Sequence, residues 1–183
     1  MPRQVFLFDR PTRFVAGTVG QPGDRTFYLQ ASDEAGRTIS VALEKTQVQV
    51  LADRMSELLD EVANRAAVVV PPDADVDDLE PLTAPVDEEF RVAAMGLAWD
   101  GEEDAVVVEA VAAGEEPIEE DVILSDSDEG PDALRVTITP VAARAFVARA
   151  RRVIAAGRPS CPLCSLPLDP AGHVCPRQNG YRR

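Results

Sequence analysis

One lysine, one histidine, one tryptophan and three cysteines are all that this 183-residue chain holds of those types. A single histidine can serve one site only. Three cysteines gathered in one short stretch are too few for a secreted disulfide scaffold. The lone lysine, Lys45, opens a helix at a surface position and is a weak basis for Schiff-base chemistry. No apolar run approaches the ~20 residues that a membrane helix needs. The opening apolar stretch, Val5-Phe6-Leu7-Phe8, is four residues long and is followed at once by Asp9, which is not the core of a signal peptide. The expected location is the cytoplasm. Neither a G-x-x-x-x-G-K-[ST] loop nor a G-x-G-x-x-G fingerprint after a strand is present.

The length suits one full domain or two small ones built together. Hydrophobic residues make up 45% and charged residues 27% of the chain, as in an ordinary globular protein. Net charge is −14, unevenly spread. Residues 132–183 hold nine arginines against Asp132 and Asp169, a balance of +7, which leaves −21 for residues 1–131. That asymmetry fits a basic working face beside an acidic body, facing either an external anionic partner or the chain's own acidic loops. Overall acidity argues against non-specific coating of nucleic acid.

The chain shows signs of internal repetition. Phe14 to Gly20 is similar to Phe90 to Gly96 at an offset of 76, and Phe27 to Ala31 to Val106 to Ala110 at an offset of 79. Val41 and Leu43 fall on Val136 and Ile138 at an offset of 95, which also carries Leu51 onto Phe146 and Arg54 onto Arg149. Each copy reads as three strands joined by hairpins and followed by a helix, with an additional strand at Gln4 to Phe8. Gln21-Pro22-Gly23-Asp24 and Asp33-Glu34-Ala35-Gly36 are turn signals. Val48, Leu51, Met55, Leu58, Leu59 and Val62 form one apolar stripe and predict a helix over 45–64. Thr139-Pro140 predicts the start of a second helix and Gly157 its end; Arg144, Arg151 and Arg152 are expected to face water.

The predicted fold is therefore α+β: an antiparallel sheet with helices on one side, made of two pseudo-symmetric β-β-β-α copies, plus a small C-terminal zinc knuckle. The expected organisation is a first copy at 1–70, an acidic Pro-rich connector at 71–89, a second copy at 90–157 and a metal-binding tail at 158–183. The second copy carries an acidic loop at 114–132, expected to stay solvated by self-repulsion. Asp126 to Gly130 has some likeness to a calcium loop but lacks the oxygen spacing and closing Glu of an EF-hand.

The tail carries the chemistry. Cys161, Cys164, His173 and Cys175 are every cysteine and the only histidine of the chain, set in a C-x2-C-x8-H-x-C pattern. The first pair has the spacing with which two thiolates grip one ion from a tight turn. His173 and Cys175, two apart, point to one side of an extended segment. Three thiolates and one imidazole fit a closed tetrahedral zinc site, with Zn–S near ~2.3 Å. Closed coordination leaves no position for water or substrate, so a structural role is favoured over a hydrolytic one. The tail is too short to bury its own core, and zinc binding, worth ~10–16 kcal/mol in such peptides, supplies the order. A redox C-x-x-C pair and unligated cysteines are the alternatives.

The opening Val5-Phe6-Leu7-Phe8-Asp9, the stretch Thr26 to Ala31, and the ending Gly157-Arg158-Pro159 with Cys161-Pro162-Leu163-Cys164 and Gly172-His173-Val174-Cys175-Pro176-Arg177 together resemble an actinobacterial family described only as a domain of unknown function. The resemblance covers the whole chain and is most specific in the tail. It implies a bacterial cytoplasmic origin and a metal-binding terminus, and no activity.

No catalytic residues and no organic cofactor are expected. Arg10, Arg13 and Arg37, near turns, are candidates for holding a phosphate, with solvated charge the plainer explanation. The leading expectation is a non-enzymatic binding or regulatory module with structural zinc, whose basic tail meets a protein or nucleic-acid partner away from any membrane. The competing one is an enzyme for a phosphorylated or acidic metabolite, in a deep arginine- and carboxylate-lined cleft between the copies. A thiol sensor that releases zinc on oxidation is a third.

Overall fold

A computed structural model describes residues 3–65, 78–114, 118, 122–157, 161–164, 166, 168 and 173–177. Its elements run β1 (Val5–Asp9), β2 (Arg13–Gln21), β3 (Asp24–Ser32), β4 (Thr38–Leu43), α1 (Lys45–Arg65), β5 (Glu88–Asp100), β6 (Ala105–Ala112), β7 (Ala133–Ile138) and α2 (Pro140–Ala155). All seven strands belong to one sheet in the order β1-β7-β6-β5-β4-β3-β2.

The strands β2-β3-β4 and β5-β6-β7 are two antiparallel meanders. They join through β4 and β5, which run parallel, and β1 runs parallel to β7. The expected antiparallel sheet is thus corrected to a mixed one. The cause is the connection. A hairpin reverses the chain, whereas β4 leads into a helix and the chain returns to begin β5 in the same direction.

The sheet must curl. Its outermost strands, β1 and β2, are separated in sequence by Arg10, Pro11 and Thr12 alone. Four Cα steps reach at most ~15 Å, whereas a flat sheet would hold these edges ~29 Å apart across six strand spacings. The curl brings the β3–β4 hairpin to β1, where Arg37 donates to the Leu7 carbonyl and covers the Phe8 ring at 4.2 Å.

Both helices lie within the hydrophobic core of the sheet. On β3, alternation turns Phe27, Leu29 and Ala31 inward and leaves Tyr28 and Gln30 on the outer face. A bulge between Val92 and Ala94 shifts the parity of β5, so that Val92 and then Met95, Leu97 and Trp99 all meet the core. α1 inserts Val48, Leu51, Ala52, Met55, Leu59 and Val62, the predicted stripe with Ala52 added and Leu58 only partly buried. α2 is capped by Thr139, whose hydroxyl accepts from the Ala142 amide, with Pro140 in the first turn. Its Phe146 stacks on Phe14 of β2 at 4.8 Å.

Arg144, expected in water, is buried between the helices with Asp60 and Ser56 as partners. Close approach of α1 and α2 covers Arg144, while its partner Asp60 stays largely exposed. The register pairs Phe27↔Leu43, Leu29↔Val41 and Gln30↔Ser40 of β3–β4 differ from Val106↔Ile138, Val108↔Val136 and Glu109↔Arg135 of β6–β7 by 79 and 95 residues. Phe14 lies opposite Ala31 and Met95 opposite Ala110, a difference of 81 between β2 and β5.

Candidate metal centre

α2 ends at Ala156, whose amide donates to the Arg152 carbonyl, and Gly157 follows. The chain then reaches the tail. Residues 162–164 form a turn, and the Cys161 amide donates to the Leu166 carbonyl at 2.8 Å. This turn folds the first cysteine pair back on itself. Residues 173–175 lie outside any helix, strand or turn, and a two-residue spacing lets His173 and Cys175 face one point where the chain is extended.

The four donor atoms of Cys161, Cys164, His173 and Cys175 lie within 4.8 Å of one another, close enough to bind one metal ion. The Cys161 and Cys175 Sγ atoms are 3.9 Å apart, and Cys164 Sγ lies 3.2 Å from His173 Nε2. Ligands around a tetrahedral zinc would be separated by roughly 3.5–3.8 Å. Cys161 and Cys175 are buried, whereas Cys164 and His173 are partly open. None of the cysteines is in a disulfide. The turn after Cys161 also differs from the helix that a redox C-x-x-C pair usually opens.

The backbone favours one thiolate in advance. Amides of Cys164 and Leu163 point at the Cys161 sulfur and lower its pKa from 9.0 to about 6. Burial pushes Cys164 the other way. A cation at the centre of the four donors favours the charged form of every thiol, since ligation requires deprotonated sulfur.

Two further clusters hold irregular chain against the outer face of the sheet. Glu109, fully buried on β6, accepts from Arg3 at 2.6 Å, from Arg135 at 2.5 Å and from the Leu124 amide at 3.1 Å. Arg3 also donates to the Pro131, Val122 and Ser125 carbonyls. Part of the acidic loop, 122–131, is therefore pinned through its backbone carbonyls to a buried guanidinium, while residues 126–130 stay exposed; residues 115–117 and 119–121 lie outside the described ones.

On β3, Gln30 holds a second irregular segment. It accepts from the Thr83 amide and donates to the Thr83 carbonyl and Ser40. Arg149 and Arg13 grip Asp78 beside it, and Arg149 donates to the Ala16 and Glu80 carbonyls. Arg13 holds the Asp78 carboxyl below its usual value, followed by Arg149. Sequence reasoning paired Gln30 with Glu109 but missed Arg3 and the clamps. The signal available was a long polar side chain in the middle of an apolar strand.

The remaining candidates are already engaged. Arg10, Arg13 and Arg37 pair with Glu103, Asp78 and Asp33. Asp126 of the calcium-like stretch pairs with Arg135. A cavity of about 150 Å³ is lined by Arg25, Glu44 and Lys45 at the junction of β3, β4 and α1, and by Arg91 of β5. There Arg91 pairs with Glu44, and Arg25 donates to the Val153 carbonyl near the end of α2.

Comparison with known proteins gives one result. The family model described as "Protein of unknown function (DUF3090)" matches residues 6–175, a span that takes in all of the sheet but Val5, both helices and all four donors. No curated protein and no solved structure gives a match.

Proposed function

The chain belongs to the DUF3090 family, whose description names no activity, and we propose that it is a non-enzymatic binding or regulatory protein with structural zinc. The scaffold is two homologous β-β-β-α copies fused through β4 and β5. The C-terminal zinc knuckle with its basic tail is the surface that meets a protein or nucleic-acid partner. On this reading it works in the cytoplasm of an actinobacterium, where reduced thiols persist.

The observation that carries the reading is the convergence of Cys161, Cys164, His173 and Cys175 on one point. Three sulfurs and one imidazole favour zinc over hard cations, which seek oxygen. Four protein ligands fill a tetrahedron, so bound zinc would supply order and charge rather than an open catalytic position. The duplication is supported by the matching registers of β3–β4 and β6–β7, and by Gln30 and Glu109 each binding an overlying amide.

Elemental analysis of protein purified without chelator tests the metal, with one zinc per chain expected. Affinity capture with and without nuclease then separates the two partner types, and Cys161→Ser should abolish both zinc and capture. Capture unchanged in that variant would remove the tail from the function. The enzyme reading has the Arg25–Lys45–Arg91 cavity in its favour, but about 150 Å³ is small beside the ~300–1,000 Å³ of small-molecule sites.

A further inference from the structure

We infer that the outward surface of the Cys/His knuckle docks an acidic polypeptide segment bearing apolar side chains; this rests on the zinc-knuckle reading and names its partner class. When four ligands turn toward one ion, the residues between them turn away from it. Leu163 lies between the first two cysteines and Val174 between His173 and Cys175. Leu163 is 48% exposed, Leu166 49% and Val174 81%. Such a short segment has no interior in which to bury them, so the metal that orders the turn also fixes three aliphatic side chains in water. Among the other described residues, the exposed large aliphatic groups lie on separate elements: Leu7 on β1, Val19 on β2, Val50 on α1, Leu79 before β5 and Val141 on α2. Isolated exposed aliphatics are ordinary, whereas a cluster marks an interaction surface.

Charge selects the occupant. Residues 158–183 carry Arg158, Arg177, Arg182 and Arg183 against Asp169, and Arg177 is exposed beside the cluster. Residues 1–157 carry a net −17. An acidic segment is repelled by the body and attracted at this end, which steers it onto the knuckle. An apolar patch beside an arginine has the anatomy of a protein interface, an apolar centre with a polar rim. A nucleic acid would meet the same repulsion over its whole phosphate backbone. Apart from His173, which the proposed ion would hold, the described knuckle offers it no aromatic ring on which a base could stack.

The test uses the full, zinc-loaded chain with methyl-labelled Leu and Val. The probe is a synthetic peptide with the sequence of residues 114–124, Gly-Glu-Glu-Pro-Ile-Glu-Glu-Asp-Val-Ile-Leu, which joins acids to apolar groups. Saturable shifts of the Leu163, Leu166 and Val174 methyls are expected. Affinity should fall by about tenfold or more in Leu163→Ser/Val174→Ser, with zinc content unchanged. A peptide with Ala at its apolar positions should bind at least about tenfold more weakly. Saturated zinc without saturable shifts, equal binding of the Ala peptide, or the same methyls responding instead to a single-stranded oligonucleotide would each overturn the inference alone. A preparation without zinc would overturn the knuckle reading and this inference together.

Discussion

Glu109 shows how much one side chain can organise. Its carboxylate and the Arg3 side chain are both fully buried, and Arg135 is nearly so. Each alone would be costly away from water; together they satisfy one another and the carbonyls of the overlying chain. Removing Arg3 leaves Glu109 half-compensated. Arg3→Ala should therefore destabilise the fold by about 3–5 kcal/mol, read as a lower denaturant midpoint. Asp78 makes a prediction with a direction in pH. Its folded pKa lies below 3.8, first through the Arg13 hydrogen bond. The ionised form thus stabilises the protein above that pH, and the contribution is lost as pH falls through the folded value. Wild type should be more stable than Asp78→Asn at neutral pH, with the gap closing below about pH 3.8. Denaturation series from neutral to acid pH check it; a constant gap would mean that Asp78 does not titrate with folding.

At the scale of elements, two glycines explain how irregular segments lie flat on the sheet. A Cβ on Gly96 would sit 2.5 Å from the Ile123 side chain, and one on Gly17 2.5 Å from that of Leu82. Both glycines are seats for an overlying aliphatic group. Gly96→Val should cost about 1–3 kcal/mol and speed amide exchange at 122–125 before it affects β5. Adding Leu124→Ala should recover part of that loss, as a double-mutant cycle would measure. α2 depends on its cap, and Thr139→Ala should cost about 1 kcal/mol, visible as a shift in melting temperature. Sequence periodicity located both helices within a residue because α1 has a stripe and α2 has a cap and a terminal glycine. It missed the direction of β5 relative to β4, since alternation is the same in parallel and antiparallel strands.

For the whole molecule, the candidate metal site and the core are separate. The core of buried apolar residues ends with α2, and neither Cys161 nor Cys175 belongs to it. Chelation should therefore leave the far-ultraviolet circular dichroism and the main thermal transition nearly unchanged, while protease sensitivity rises around 161–177. A collapse of the main transition on chelation would mean that the knuckle supports the body. On the proposed zinc reading, Cys175→Ser should lose the metal, measured by elemental analysis, with the same local effect.

The sequence by itself singled out the four residues that the fold brings together as a candidate metal centre, because their spacing is local and three sulfurs and one imidazole have few other uses together. It determined the strands of both meanders and the two helices, because apolar periodicity and capping are properties of consecutive residues. Only the tertiary structure decided that the sheet is mixed and curled, since strand order depends on where a connection returns. It alone decided that Arg3, 106 residues from Glu109 along the chain, is that residue's buried partner. Pairing a charge across such a distance needs the intervening sheet to be built first, and no local pattern records it.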